Sequence, residues 1–166
     1  MFTSLIYAAT QRISLTSPYF VPDESLLYAV TTAAERGIEV ELFVSEVSDQ
    51  FMVGHAQASY YRALLEAGVR IFRYPPAPFI LHAKHFTIDD DVAVIGSSNM
   101  DMRSFGLNYE ISLMLPPDPP AVVERLREVQ DDYRALSTEL TLPEWERRPR
   151  RTKYVDNVMR LTAALQ

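Results

Sequence analysis

The sequence predicts an α/β layered domain, a mixed sheet flanked by helices. Short segments rich in Val, Ile, Phe and Thr alternate with longer ones whose apolar residues recur at helical spacing. Near the middle, two strand-like segments are joined only by Asp89-Asp90-Asp91, an acidic turn that adds an antiparallel hairpin. Apolar residues make up 48% of the 166, enough to bury a core at a length that suits one domain.

The elements follow in order. Residues 2–11 read as a short helix and 12–16 as a strand, after which Pro18 and Pro22 frame a loop. Asp23 is suited to cap a helix over 23–36, which Gly37 stops. A strand over 40–44, a helix over 50–67 ended by Gly68 and a strand over 69–74 come next. Pro75-Pro76-Ala77-Pro78 then breaks the chain before the hairpin, whose second strand is 92–95. The segment 107–115 passes from alternating to apolar and reads as a strand beside the hairpin. Prolines over 116–120 end it, a helix follows over 120–136, and a last helix is expected over 151–164. There is no internal repeat and no low-complexity segment.

The net charge of −6, from 16 basic and 22 acidic residues, argues against nucleic acid held by field alone. The absence of cysteine excludes disulfides and thiolate catalysis and says nothing of compartment. No apolar run approaches the roughly 20 residues of a membrane span, and residues 1–10 lack the basic segment of a signal peptide. The chain reads as soluble or peripheral. Arg147, Arg148, Arg150, Arg151 and Lys153 stand against Glu144 and Glu146, beside Trp145 and Tyr154. Such a cluster either touches an anionic bilayer, at about 1 kcal/mol per basic residue, or is a solvated helix start; composition favours the second.

The chemistry concentrates in residues 82–99. His82, Lys84, Asp89, Gly96, Ser97 and Asn99 form an H-x-K-x4-D-x6-G-S-x-N pattern. Six fixed residues coincide by chance roughly once in 10^8 start positions, so the string is no accident. It supplies an imidazole, a cation for an anionic substrate and a small Gly-Ser turn, which suits covalent phosphodiester chemistry. On a strand His82 and Lys84 share a face, about 7 Å apart, with Phe86 and Ile88; Ala83, His85 and Thr87 take the other. His85 is therefore expected to be packed or solvated, and so is His55 on its helix. Gly96 is expected to let an anionic group approach the backbone, and Ser97 and Asn99 to donate to phosphate oxygens beside Lys84. Asp89 is turn chemistry in isolation, but its register in the motif favours a role in orienting a site group. Glu110 either holds the imidazole N–H of His82 or faces solvent at an edge; the first satisfies a costly carboxylate. No metal is expected, since Lys84 repels a cation where one is needed.

These residues resemble the H-K-D motif of the phospholipase D superfamily. Ser17-Pro18-Tyr19-Phe20-Val21-Pro22, Asn99-Met100-Asp101-Met102-Arg103-Ser104-Phe105, Leu107-Asn108-Tyr109-Glu110 and Trp145-Glu146-Arg147-Arg148-Pro149 look like the C-terminal half of bacterial cardiolipin synthases. The resemblance runs nearly end to end. It implies a phospholipase D-like domain over 1–141, one half of the usual two-domain enzyme with its first strand missing, and a basic helical tail over 142–166. It implies His82, Lys84 and Asp89 as catalytic, Lys84, Ser97 and Asn99 as phosphate-binding and Glu110 as histidine-orienting, with no cofactor. The implied reaction passes a phosphatidyl group between phosphatidylglycerol molecules through a covalent phosphohistidine. The implied partners are a phospholipid, a bacterial membrane surface met peripherally, and a second H-K-D motif from an N-terminal half or a second copy; nucleic acid is not among them. The alternatives are a single-motif nuclease or phospholipase D hydrolase working as a homodimer, and an inactive fragment.

Overall fold

The computed structural model describes residues 1–48, 50–78, 80–115 and 121–161. Its central strand is β1 (Arg12–Thr16), which pairs in parallel with β3 (Glu39–Ser45) and antiparallel with β5 (His85–Ile88). Outward from β3 lie β4 (Arg70–Tyr74), parallel, and the edge strand β9 (Thr138–Leu140), antiparallel. Outward from β5 lie β6 (Val92–Gly96) and the other edge strand, β8 (Ser112–Leu115), both antiparallel. The seven-stranded order is β8-β6-β5-β1-β3-β4-β9, and a two-residue ladder joins β2 (Phe20–Val21) to β7 (Met100–Asp101). The expected mixed sheet is present.

Alternation along β1 sorts the layers. Ile13 and Leu15 enter the main core with Val40, Leu42, Ile71 and Phe86, covered by α1 (Phe2–Ala8), α2 (Glu24–Glu35) and α3 (Phe51–Ala67). The opposite face carries Ser14, Thr16, Glu41 and Phe43, all buried, and meets α5 (Ala121–Leu136) through Gln130, Tyr133 and Arg134. Glu41 is fully buried there and accepts from Arg134 Nη2 at 2.6 Å and Nε at 2.8 Å, and from Arg12 and Arg70 at 3.3 and 3.4 Å. Burial pushes this carboxyl up, but the Arg134 and Arg12 guanidiniums outweigh it and hold it below its ordinary range.

The helix signals read correctly at α2 and α3. Asp23 caps α2 by accepting from Leu26 N at 2.8 Å, and Gly68 ends α3 in the left-handed region at φ 97°. The helix expected over 2–11 stops at Ala8, because Asp89 draws residues 10–12 into the sheet. The strand expected over 107–115 shrinks to its last four residues, preceded by the short α4 (Met102–Gly106). Ile111 N donates to the Ser97 hydroxyl instead of a ladder carbonyl, so 107–111 forms a loop. Elements of two to five residues (β2, β7, α4, β9 and α6, Leu142–Glu146) are too short to show a period. Of the segments expected after β8, residues 116–120 and 162–164 lie outside the described residues.

The basic segment packs closely on the rest. Trp145 of α6 lies in the main core, edge-on to Tyr61, and α7 (Arg150–Arg160) lies along α3. Its Asp156, 1% exposed, accepts from Arg148 Nη1 at 2.8 Å and bonds His55 Nδ1 at 2.6 Å.

Candidate active site

The motif opens where the sheet runs out. Thr16, the last residue of β1, pairs with His85, the first of β5, so residues 82–84, expected as strand, lie beyond the ladder with β1. This frees His82, which is exposed, and half-exposes Lys84. Lys84 Nζ donates to the His82 carbonyl oxygen at 2.7 Å and stands 3.1 Å from Nδ1 and 3.4 Å from Nε2 of the same residue. Burial pushes the Lys84 ammonium down, and the nearby carboxylates of Glu110 and Asp101 oppose the shift. An imidazole and a cation thus face solvent together at the carboxyl ends of the parallel strands, where α/β sheets commonly receive ligands.

His85 takes the opposite face, as alternation requires. It is buried, its ring lies 6.0 Å from that of Tyr133 at 27°, and neither ring nitrogen has a hydrogen-bond partner. Burial pushes its pKa down to about 4, so it is neutral at physiological pH. His55 is likewise engaged structurally, with Asp156.

Three residues sit otherwise than expected. Glu110 does not hold His82: its Oε2 accepts the Ser97 hydroxyl in a short hydrogen bond, and Oε1 accepts from Asn108 Nδ2 at 3.4 Å. The reason is the loop over 107–111, which turns the carboxylate toward β6 and not along a strand toward the imidazole. Asp89 is not beside the site. It sits at the far end of the hairpin at φ 49° and accepts from Thr10 N, Gln11 N, Arg12 N and Thr10 Oγ1 at 2.8–2.9 Å. Burial raises this carboxyl, but those donors outweigh it and hold it below its ordinary range. Gly96 makes room for protein and not for an anion, since a Cβ there would overlap Ile111 O and Ser112, with Ser112 Cα at 2.8 Å.

Ser97 and Asn99 do lie at this end. The Ser97 backbone N–H donates to Ile111 O at 2.9 Å, which with the Glu110 contact ties β6 to the loop before β8. Asn99 Oδ1 is buried without a hydrogen-bond partner and lines a cavity of about 150 Å³ with Gln50, Asp101, Arg103 and Asn108. Two neighbours went unnoticed as site residues in the sequence. Asp101 caps α4 by accepting from Ser104 N at 2.6 Å and adds negative charge near Lys84; its position three residues before Ser104, at a helix start, was the available signal. Arg103 is exposed and brings a second cation toward Asn99. Leu107, Tyr109, Ile111, Leu113 and Met114 are all exposed along the adjoining edge.

Comparison with known proteins agrees with this architecture. The family described as "Cardiolipin synthase, PLD-like domain" matches residues 2–132. Cardiolipin synthase A of Proteus mirabilis and that of Serratia proteamaculans are each 42% identical over 144 residues, 87% of this chain and 29% of the relative. Among solved structures, phosphatidylserine synthase of Haemophilus influenzae superposes with a TM-score of 0.77 over 99% of this chain and 44% of that one, at 16% identity. Nuc, a phospholipase D family member from Salmonella typhimurium, gives a TM-score of 0.70 over 84% and 88%, at 20% identity. The fold is that of the phospholipase D superfamily. Within it, the chain belongs to the cardiolipin synthase, phospholipase D-like domain family. It spans 29% of the length of the curated relatives it matches.

Proposed function

We propose that this chain is one catalytic half of a cardiolipin synthase-type phosphatidyltransferase. The observation that carries the reading is the exposed His82–Lys84 pair at the mouth of the sheet, in a chain 42% identical to cardiolipin synthase A. Lys84 meets the phosphodiester of phosphatidylglycerol as a point charge, and Ser97 and Asn99 serve its non-bridging oxygens once Ser97 exchanges Glu110 for substrate. Glu110 then acts on Ser97 and on the Lys84 charge, and Asp89 acts through the fold.

Two imidazoles are needed. One attacks phosphorus and forms an N–P bond while the other protonates the departing glycerol oxygen. The second imidazole then takes the proton from the hydroxyl of an incoming phosphatidylglycerol, whose oxygen displaces the histidine. Two phosphatidylglycerols thereby give one diphosphatidylglycerol and one glycerol. His82 is one of the pair. The other comes from a second motif, in an N-terminal half or a second copy, seated against the apolar edge from Leu107 to Met114 beside Glu110. In a two-half enzyme His82 is the acid/base; between two copies the roles divide.

The test is transfer between phosphatidylglycerol molecules, read as released glycerol, with wild-type and His82→Ala chains in an assembly that contains two motifs. Transfer lost with His82 supports the reading. Release of phosphatidate by water, or cleavage of DNA with a steep salt dependence, replaces it with a hydrolase.

A further inference from the structure

The loop from β3 to α3 leaves the sheet at the same end as His82. Gln50, which precedes α3, lines the small cavity that also holds Asn99. Three large apolar side chains on this tip face water: Val47 is 50% exposed, Phe51 67% and Met52 44%. Ile80, two residues before His82, is 60% exposed. Helix starts usually show caps and carboxylates, so a Phe-Met pair opening α3 into solvent asks for an apolar contact.

The arginine cluster is fastened beside this tip. The Phe51 and His55 rings are 4.4 Å apart, His55 Nδ1 bonds Asp156 Oδ1, and Asp156 Oδ2 accepts from Arg148, whose guanidinium lies 3.9 Å over Trp145. Further along, Arg160 lies 4.5 Å over Tyr60. Ser48, Gln50, Phe51 and Arg148 line one cavity, so the basic segment that leads into α7 adjoins the apolar start of α3. The carboxylates nearest in sequence are occupied, Glu144 by Arg73 at 2.6 Å and Glu146 by Arg62 at 4.0 Å. Arg147, Arg150 and Arg151 are exposed and form no ion pair among the described residues, in a chain of net charge −6.

We propose that Val47, Phe51 and Met52 with Arg147, Arg150 and Arg151 form one rim that seats the candidate active site on an anionic phospholipid bilayer. The apolar side chains enter the boundary between headgroups and acyl chains while the guanidiniums stay among the phosphates. The edge from Leu107 to Met114 is the one assigned above to a protein partner. The inference rests on the phosphatidyltransferase reading in naming the surface from which lipid arrives, and it is tested by binding alone.

Because the chain has no cysteine, one introduced thiol is a unique label. Phe51→Cys, Val47→Cys and, at the opposite end of the sheet, Glu35→Cys each carry a polarity-sensitive dye. The labelled chains are titrated with vesicles of equal phosphatidylglycerol and phosphatidylcholine, and of phosphatidylcholine alone. The dye at 51 or 47 is expected to shift to the blue on the anionic vesicles only, and the dye at 35 to stay silent. Each basic residue near such headgroups is worth about five-fold, so combined Arg147→Gln, Arg150→Gln and Arg151→Gln lower partitioning on the order of 100-fold. Silence at 47 and 51, or an equal response at 35, overturns the proposal. So does a blue shift at 51 that grows with protein concentration without lipid, which makes the rim a protein contact. If the triple variant fails to fold, the dye comparison on chains with intact arginines still decides. Binding through the rim with no transfer in an assembly that contains two motifs upholds this inference and rejects the activity; transfer in that assembly without binding at 47 and 51 does the reverse.

Discussion

Lys84 and His82 form a pair: the lysine ammonium donates to the His82 carbonyl oxygen at 2.7 Å and lies 3.1 Å from Nδ1 of the ring. The adjacent His85 points through the sheet to Tyr133. Replacing the two histidines separates chemistry from packing. His82→Ala is expected to abolish phosphatidyl transfer in an active assembly and leave stability nearly unchanged. His85→Ala is expected to keep most turnover while lowering the unfolding midpoint, both read from the same preparations. Equal losses of turnover refute the face assignment.

His85 also makes stability depend on pH. Its folded pKa of about 4 lies below its unfolded 6.5, so between those values the unfolded chain binds the extra proton. The contribution of the buried neutral ring is complete above pH 6.5 and is lost as pH falls toward 4, on the order of 3 kcal/mol in all. Urea unfolding at pH 7, 6 and 5 is expected to show this decline in the wild type and a flatter one in His85→Phe. Parallel curves would remove His85 as the cause.

Asp89 gives a different acid signature. Its folded pKa is depressed below the unfolded 3.8, so its contribution is present at neutral pH and lost only as pH falls below about 4. Asn tolerates the left-handed backbone at this position, so Asp89→Asn isolates the carboxylate. It is expected to lower stability at pH 7 by roughly 1–3 kcal/mol, because an amide NH₂ faces the donors of residues 10–12, and to flatten the stability curve below pH 4. Transfer per folded molecule stays near wild type. A loss of turnover without a loss of stability returns Asp89 to the site.

Gly96 tests how β8 is held. Gly96→Ala drives a methyl group into Ile111 O and Ser112, which must part from β6 and disturb the Ser97–Glu110 contact. Reduced transfer is expected, together with faster amide exchange at Ser112 to Leu115. An unchanged exchange pattern shows that the strand yields without cost.

The sequence carried the fold at the scale of its longer elements, because Asp23, Gly68 and the Asp89-Asp90-Asp91 turn act locally. Alternation put His82 and Lys84 on one face and His85 on the other, and His85 is buried, but the contact of Lys84 Nζ with the carbonyl and ring of His82 was not legible in it. What it could not carry were partnerships between distant segments. Glu110 meets Ser97 because a loop replaces strand at 107–111, and Asp89 meets Thr10 because a hairpin returns to the start of β1. Gly96 faces Ser112 for the same reason.

The requirement for two imidazoles at one phosphate is tested most directly by light scattering on size-separated protein, with phosphatidyl transfer measured on the same fractions. The account predicts that turnover follows the fraction holding two motifs, whether two copies of this chain or this chain with a complementary half, and vanishes there in His82→Ala. Full turnover in the fraction that holds single copies of this chain contradicts it.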